Sequence, residues 1–170
     1  MDLKKYIRDI DNFPKPGVGF KDITPLLDSK EALHEGLKRF LSLIDGKKID
    51  KVVAMESRGF FFGPLIAYEI GAGFIPVRKP GKLPYKTYRQ EYDLEYGTDV
   101  LEMHIDAISP GDKVLIHDDV LATGGTARAV TQLVEKAGGE VVQLDFLIDL
   151  TFLNGVSKLK GYDVNSLVQY

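Results

Sequence analysis

Residues 114–126 read Val114-Leu115-Ile116-His117-Asp118-Asp119-Val120-Leu121-Ala122-Thr123-Gly124-Gly125-Thr126. An apolar run of strand type, Val114–Ile116, delivers two adjacent carboxylates and then a tight loop of small residues that opens a helix. Gly124 and Gly125 have no side chain to screen the backbone, so several amide N–H groups can converge on one anion. The hydroxyls of Thr123 and Thr126 add donors, and a helix N-terminus favours negative charge. Asp118 and Asp119 together suit two vicinal hydroxyls. The whole set matches a sugar phosphate, with its phosphate in the loop and its hydroxyls on the acids. No lysine follows the glycines and the spacing differs, which excludes a nucleotide-triphosphate P-loop. Either dipeptide alone also reads as a cap or a turn; the full order of strand, two acids, loop and helix does not.

Outward from this stretch, strand-type and helix-type patterns alternate. Asp28-Ser29-Lys30-Glu31 reads as a helix start, with a capping oxygen and Glu31 reaching back. Behind it Leu33, Leu37, Phe40, Leu41 and Ile44 recur at helical spacing. Lys51–Met55 is a short apolar strand, Arg58–Ile70 is helical and stops at Gly71, and Phe74–Val77 is a second strand. Leu101, Met103 and Ile105 alternate with Glu102 and His104 as in a half-buried strand. After the motif, Val130, Leu133, Val134 and Ala137 line one helix face up to Gly138-Gly139, and Val141–Leu150 is the last strand expected. Such alternation predicts an α/β fold with a parallel sheet, whose ligands bind beyond the carboxyl ends of the strands. Lys79–Tyr96 fits neither pattern: it is polar, rich in Gly, Pro, Tyr, Lys and Arg, and long for a connection, which suggests a functional lid.

Composition narrows the function classes. A chain of 170 residues is about one domain long and buries enough surface to fold without staples. With no cysteine, neither a disulfide framework nor a thiolate zinc site is possible, which fits a reducing cytosol. Met1–Ile10 has no continuous apolar core and does not read as a signal peptide, and no stretch has the length of a spanning helix. A net charge of −3 gives no electrostatic footprint for nucleic acid. Basic residues cluster only locally, over Arg78–Lys86.

At Asp118–Thr126 the chain resembles the phosphoribosyl pyrophosphate signature of type I phosphoribosyltransferases. The resemblance implies their fold over a single domain, 1–170: a parallel core sheet flanked by helices, a small hood from about 1–30 and a flexible lid at about 79–97. It implies the donor 5-phosphoribosyl 1-pyrophosphate, bound by Asp118, Asp119, Ala122, Thr123, Gly124, Gly125 and Thr126. Mg²⁺ is implied as cofactor, carried mainly by the donor and water rather than by the protein directly. His117 departs from the family, which usually has an apolar residue there; a buried, hydrogen-bonded histidine is the expectation, with no role assigned.

Three further segments are similar to the adenine branch. In Phe13–Pro25, prolines at 14, 16 and 25 and glycines at 17 and 19 oppose a helix. The resemblance makes Val18, Gly19, Phe20 and Lys21 adenine-binding, with Phe20 stacking on the ring; a plain loop with Phe20 in the core is the alternative. Lys21 stands where arginine is more usual, so a bidentate contact there is not carried over. Glu56-Ser57-Arg58-Gly59-Phe60 resembles the pyrophosphate loop, with Arg58 facing the leaving group. Val77–Pro84 and Tyr92–Gly97 resemble the lid, whose Arg78, Lys79 and Lys82 would neutralise pyrophosphate and reach into a neighbouring subunit's site in a homodimer. Glu95 matches a glutamate that contacts the purine near its imidazole nitrogen. With Arg58, Asp118 and Asp119 it makes up the implied catalytic set. Leu150 either covers the other face of the base or packs in the core.

The implied activity is formation of AMP and pyrophosphate in purine salvage, in the cytoplasm, with no nucleic-acid or membrane partner. The same fold acting on another base is the nearest rival. A non-enzymatic sensor of the donor would need a fused DNA-binding module, for which there is neither room nor basic charge.

Overall fold

The computed structural model describes residues 1–94 and 97–170. In chain order the elements are β1 (Arg8–Ile10), β2 (Phe20–Asp22), α1 (Thr24–Asp28), α2 (Lys30–Ile44), β3 (Lys51–Met55), α3 (Gly63–Ile70) and β4 (Gly73–Val77). There follow β5 (Thr87–Asp93), β6 (Thr98–His104), β7 (Lys113–Leu121), α4 (Gly125–Lys136), β8 (Glu140–Asp149) and β9 (Val164–Gln169).

The core is a five-stranded sheet in the order β4-β3-β7-β8-β9, parallel throughout. It is sandwiched between two apolar layers. On one face Phe40 and Ile44 of α2 and Phe62 and Ile66 around α3 bury against Val52, Leu115 and Leu147. On the other, Val130, Leu133 and Val134 of α4 pack on Val114, Ile116, Leu144 and Phe146, joined by Leu101 and Met103. Burial of this kind contributes about 25 cal/mol per Å² of apolar surface, so both faces are held mainly by the hydrophobic effect.

Strand order fixes where a ligand can go. From β3 the chain steps outward to β4, then returns across β3 to β7 and continues to β8 and β9. The reversal lies between β3 and β7, and a crevice opens where connections leave neighbouring carboxyl ends in opposite directions. Parallel pairing of Lys51–Ala54 with Val114–His117 puts the residues after Met55 beside those after His117.

Several expectations need correction. The start of α2 is capped by Ser29, whose hydroxyl accepts from the Ala32 N–H at 3.2 Å, and Glu31 meets only the Ser29 hydroxyl. One turn of α-helix, α1, precedes it. The buried stripe of α2 is Ala32, Gly36, Phe40 and Ile44, with Leu33 and Leu37 flanking it. Gly36 sits at its centre because the Phe62 ring occupies the place of a side chain. The 58–70 segment is a 3₁₀ turn followed by α3, which ends at Gly71 with φ 69°. The segment expected to be irregular, 79–96, contains β5, which pairs in antiparallel register with β6. Its polar sequence hides the strand because only one edge and one face of the ribbon are covered. Glu102 likewise breaks the alternation expected of 101–105: it is buried, accepting from the Gly81 N–H at 3.1 Å and pairing with Arg89. A strand beyond Leu150, β9, completes the sheet edge. Within 13–25, Phe20–Asp22 is a strand, paired with β1 in a separate two-stranded sheet.

Candidate active site

The loop after β7 forms a cradle. Gly124 has φ 80°, a left-handed conformation that costs an L side chain about 1–2 kcal/mol and costs glycine nothing. It turns the chain so that α4 begins at Gly125 with its first amides free. A cavity of about 80 Å³ lies over these amides, lined by Asp118, Ala122, Thr123, Gly124 and Thr126 among others. Behind this loop stands Gly155, a residue to which the sequence reading gave no role. A Cβ on Gly124 would fall under 3.0 Å from the Gly155 carbonyl oxygen, and one on Gly155 equally close to that of Ala122.

Asp118, half-buried, and Asp119, buried, stand near the carboxyl end of β7. Burial and then the adjacent Asp119 charge push the Asp118 carboxyl well above the usual carboxylate range. Burial also raises Asp119, opposed by Arg58, whose Nε lies 3.0 Å from Asp119 Oδ2. Two acids thus share one cation, leaving an excess of acceptor oxygens. Arg58 comes from the turn after β3, across the crevice, and its guanidinium also lies 4.6 Å from the centre of the Phe20 ring.

The basic residues after β4 converge on Glu56. Arg78 Nη2 and Lys82 Nζ each lie 3.1 Å from Glu56 Oε2, and the Lys79 N–H donates to Oε1. Burial works to raise the Glu56 carboxyl, but the hydrogen bonds from Lys79, Lys82 and Arg78 outweigh it and hold it below its ordinary value. Lys79 Nζ pairs with Asp99 and lies 3.3 Å from the Tyr92 hydroxyl. The structure therefore brings Arg58, Arg78, Lys79 and Lys82 to one side of the crevice. The anchors Glu56 and Asp99 were not assigned from sequence; Glu56 was readable, since it stands inside the quoted 56–60 motif. Glu95 lies outside the described residues.

The adenine segment divides. Val18, Gly19, Lys21 and Leu150 line one cavity of about 600 Å³ together with Phe152 and Leu153. Phe20, on the opposite side of β2 from Lys21, meets Phe13 edge-on at 5.0 Å and the Arg58 guanidinium. It is half-buried rather than a core residue. Lys21 points its ammonium at Asp9 and at the Tyr170 ring.

His117 is fully buried between Phe40 and Phe62, as the expectation of a hydrogen-bonded core histidine requires. Its Nδ1 lies 2.9 Å from the Asp145 carbonyl oxygen, the geometry of an N–H donor. Burial drives its pKa down to about 4, so the ring is neutral at physiological pH.

This arrangement of cradle, paired acids and facing arginine has counterparts. The phosphoribosyl transferase domain model matches residues 26–151. The adenine phosphoribosyltransferase of Flavobacterium johnsoniae is 63% identical over 170 residues, the full length of both chains. That of Christiangramia forsetii is 61% identical, covering all of this chain and 99% of the relative. The chain belongs to the adenine phosphoribosyltransferase family. A crystal structure of the family member from Thermoanaerobacter pseudethanolicus superimposes with a TM-score of 0.97 at 51% identity, covering 99% of this chain and 98% of that one. The type I phosphoribosyltransferase fold expected from the motif is the fold observed, a parallel five-stranded core with helices on both faces. Family membership also explains why a chain with a net charge of −3 gathers cations at one crevice: the phosphoribosyltransferase donor is highly anionic.

Proposed function

We infer that this protein is an adenine phosphoribosyltransferase of purine salvage, transferring ribose 5-phosphate from 5-phosphoribosyl 1-pyrophosphate to adenine. The observation that carries this reading is the joint geometry at β3 and β7. A phosphate-sized cavity over free helix amides stands beside two raised carboxyls, one of them ion-paired with Arg58 at 3.0 Å.

In the reaction the bond from C1′ to pyrophosphate breaks with its electron pair leaving on oxygen. A purine ring nitrogen bonds to C1′ and gives up its proton to water. The chain's residues position the two substrates and stabilise the departing charge. The amides of 122–126 hold the 5′-phosphate, while Asp118 and Asp119 receive the ring hydroxyls. Arg58, Arg78, Lys79 and Lys82 face the pyrophosphate, and Glu56 keeps Arg78 and Lys82 gathered beforehand. Val18, Gly19, Phe20, Lys21 and Leu150 form the base side, with Glu95 at the purine's imidazole edge.

The unshared carboxyl oxygens of Asp118 and Asp119 fit a divalent cation arriving with the donor. Mg²⁺ would be received beside these acids and would supply charge that offsets the leaving group. A homodimer belongs to the same reading: Phe61, Leu65 and Tyr68, on and just before α3, are all exposed, with Tyr68 at 83%. An apolar patch of this kind favours a partner. We place the enzyme in the cytoplasm, consistent with the lack of cysteine. Among the described residues, no helix is long and apolar enough to cross a membrane.

The test is product identification. Protein, Mg²⁺, donor and a panel of adenine, hypoxanthine, guanine, xanthine and uracil should give AMP and pyrophosphate in equal amounts from adenine alone. Absence of AMP, or faster product from another base, overturns the assignment.

A further inference from the structure

Tyr170 meets Lys21, which lines the cavity of the adenine segment, and bonds to both chain neighbours of Leu150, which lines it too. Its backbone oxygen accepts from the Thr151 N–H at 3.0 Å and from the Thr151 hydroxyl at 2.6 Å, and its N–H donates to the Asp149 carbonyl at 3.0 Å. These three bonds bracket Leu150, so they fix the backbone from which that wall of the cavity rises. On the other wall, Lys21 of β2 places its ammonium 3.7 Å from the centre of the Tyr170 ring. A second ammonium, that of Lys4, lies 4.7 Å from the same ring. Asp9 of β1 pairs with Lys21 and holds it there. Lys21 is two residues from Gly19 and on the same strand as Phe20, so whatever fixes Lys21 fixes the hood wall as well.

We propose that Tyr170 is a positioning residue for the purine: a strut whose backbone sets the Leu150 wall and whose ring, clamped by Lys21, sets the distance of the hood from it. The hood sheet has only two short strands of its own, which is too little for independent stability, so its placement depends on docking of this kind. A flat ligand gains most when both faces are covered, and a slot left free to widen loses part of that gain to ordering. The same geometry gives Lys21 a task besides lining the base side, since its ammonium is shared between Asp9 and an aromatic face. A lysine suits that task, because a compact ammonium sits over a ring without needing the planar fork of arginine.

The inference rests on the adenine reading above. The experiment is steady-state kinetics on the full chain with adenine and donor varied separately, for wild type, Tyr170→Leu, Tyr170→Phe, Lys21→Met and the double variant Lys21→Met/Tyr170→Leu. Loss of one cation–ring contact predicts a rise of about fivefold in KM for adenine in Tyr170→Leu, with KM for the donor and kcat held within about twofold. Tyr170→Phe keeps the ring face and should behave as wild type. Lys21→Met removes the other half of the clamp without touching the core and should raise KM for adenine to the same extent, with no further rise in the double variant. An unmoved KM for adenine in both single variants overturns the proposal. So does a parallel loss in both substrates' KM, or Tyr170→Phe as impaired as Tyr170→Leu, or a double variant in which the two rises multiply. Wild-type protein that forms no AMP sinks the adenine reading as well; AMP formation with an indifferent Tyr170 sinks this proposal alone.

Discussion

Gly124 and Gly155 meet backbone against backbone, each standing where a side chain on the other would go. Gly124 turns the loop after β7, and Gly155 opens the 3₁₀ turn that follows β8. Their contact backs the cavity-lining loop with a wall of main chain alone.

Gly155→Ala is expected to push this wall into the loop. Its Cβ would fall under 3.0 Å from the Ala122 carbonyl oxygen, and backbone cannot yield as a flexible side chain would. Overpacking of this kind costs about 1–3 kcal/mol. KM for the donor should rise about tenfold with a smaller change for adenine, and the melting temperature should fall. An unchanged donor KM would contradict the wall's role.

Arg58 is paired with Asp119 at 3.0 Å and lies 4.6 Å from the centre of the Phe20 ring, so it joins the acid pair of β7 to the hood strand β2. Arg58→Met keeps the length and removes the charge. Losing one preorganised charge donor typically lowers turnover by about 100-fold or more. The fold should survive, since Arg58 belongs to no core cluster. Rapid-quench or steady-state kcat checks this, and wild-type turnover would remove Arg58 from the catalytic set.

Asp119→Asn tests the acid pair. It keeps the shape and discards the charge that pairs with Arg58, so kcat should drop by about 10- to 100-fold while circular dichroism stays as in wild type. Glu95→Ala should likewise cut kcat and spare KM for the donor, because the purine edge and not the phosphate is its implied partner. Full activity in either variant removes that residue from its assigned role.

His117 gives a stability prediction with a definite sign. Burial holds it near pKa 4 against an ordinary 6.5, so the unfolded chain binds the extra proton between those values and acidification through that window weakens the fold. Asp145, pushed up to about 6 from 3.8 by burial, acts in the opposite direction between those values, because there the folded protein holds the proton more tightly. In His117→Leu only the second effect remains of the two. Urea midpoints at several pH values should show the variant gaining on wild type by about 3 kcal/mol between pH 6.5 and 4. Parallel profiles for the two proteins would show that His117 takes up no proton on unfolding.

Much of the molecule was legible in the chain because its signals are local. The short apolar runs of β3, β4, β7 and β8 and the period-3.6 stripe of α4 report burial on two faces or one, and each is complete within a dozen residues. The elements that escaped notice lack that property. Strand β5 lies in a two-stranded ribbon, so its sequence of Thr, Tyr, Arg, Gln and Glu carries no apolar rhythm. Strand β9 is an edge, half-buried along most of its length. Gly155 and Tyr170 carried no readable signal, because a glycine or a tyrosine in a polar segment has countless uses.

The sequence alone determined the strand–acid–acid–loop–helix order of 114–126, and with it the expectation of a sugar phosphate, since backbone amides and adjacent carboxylates act over neighbouring residues. Tertiary structure alone decided which distant groups complete the crevice. Arg58 reaches Asp119, Glu56 gathers Arg78 and Lys82, Gly155 closes on Gly124, and Tyr170 joins Lys21 to Leu150. Those pairings follow from parallel register and strand order, which are settled by the burial of the whole sheet at once and are written in no single stretch of chain.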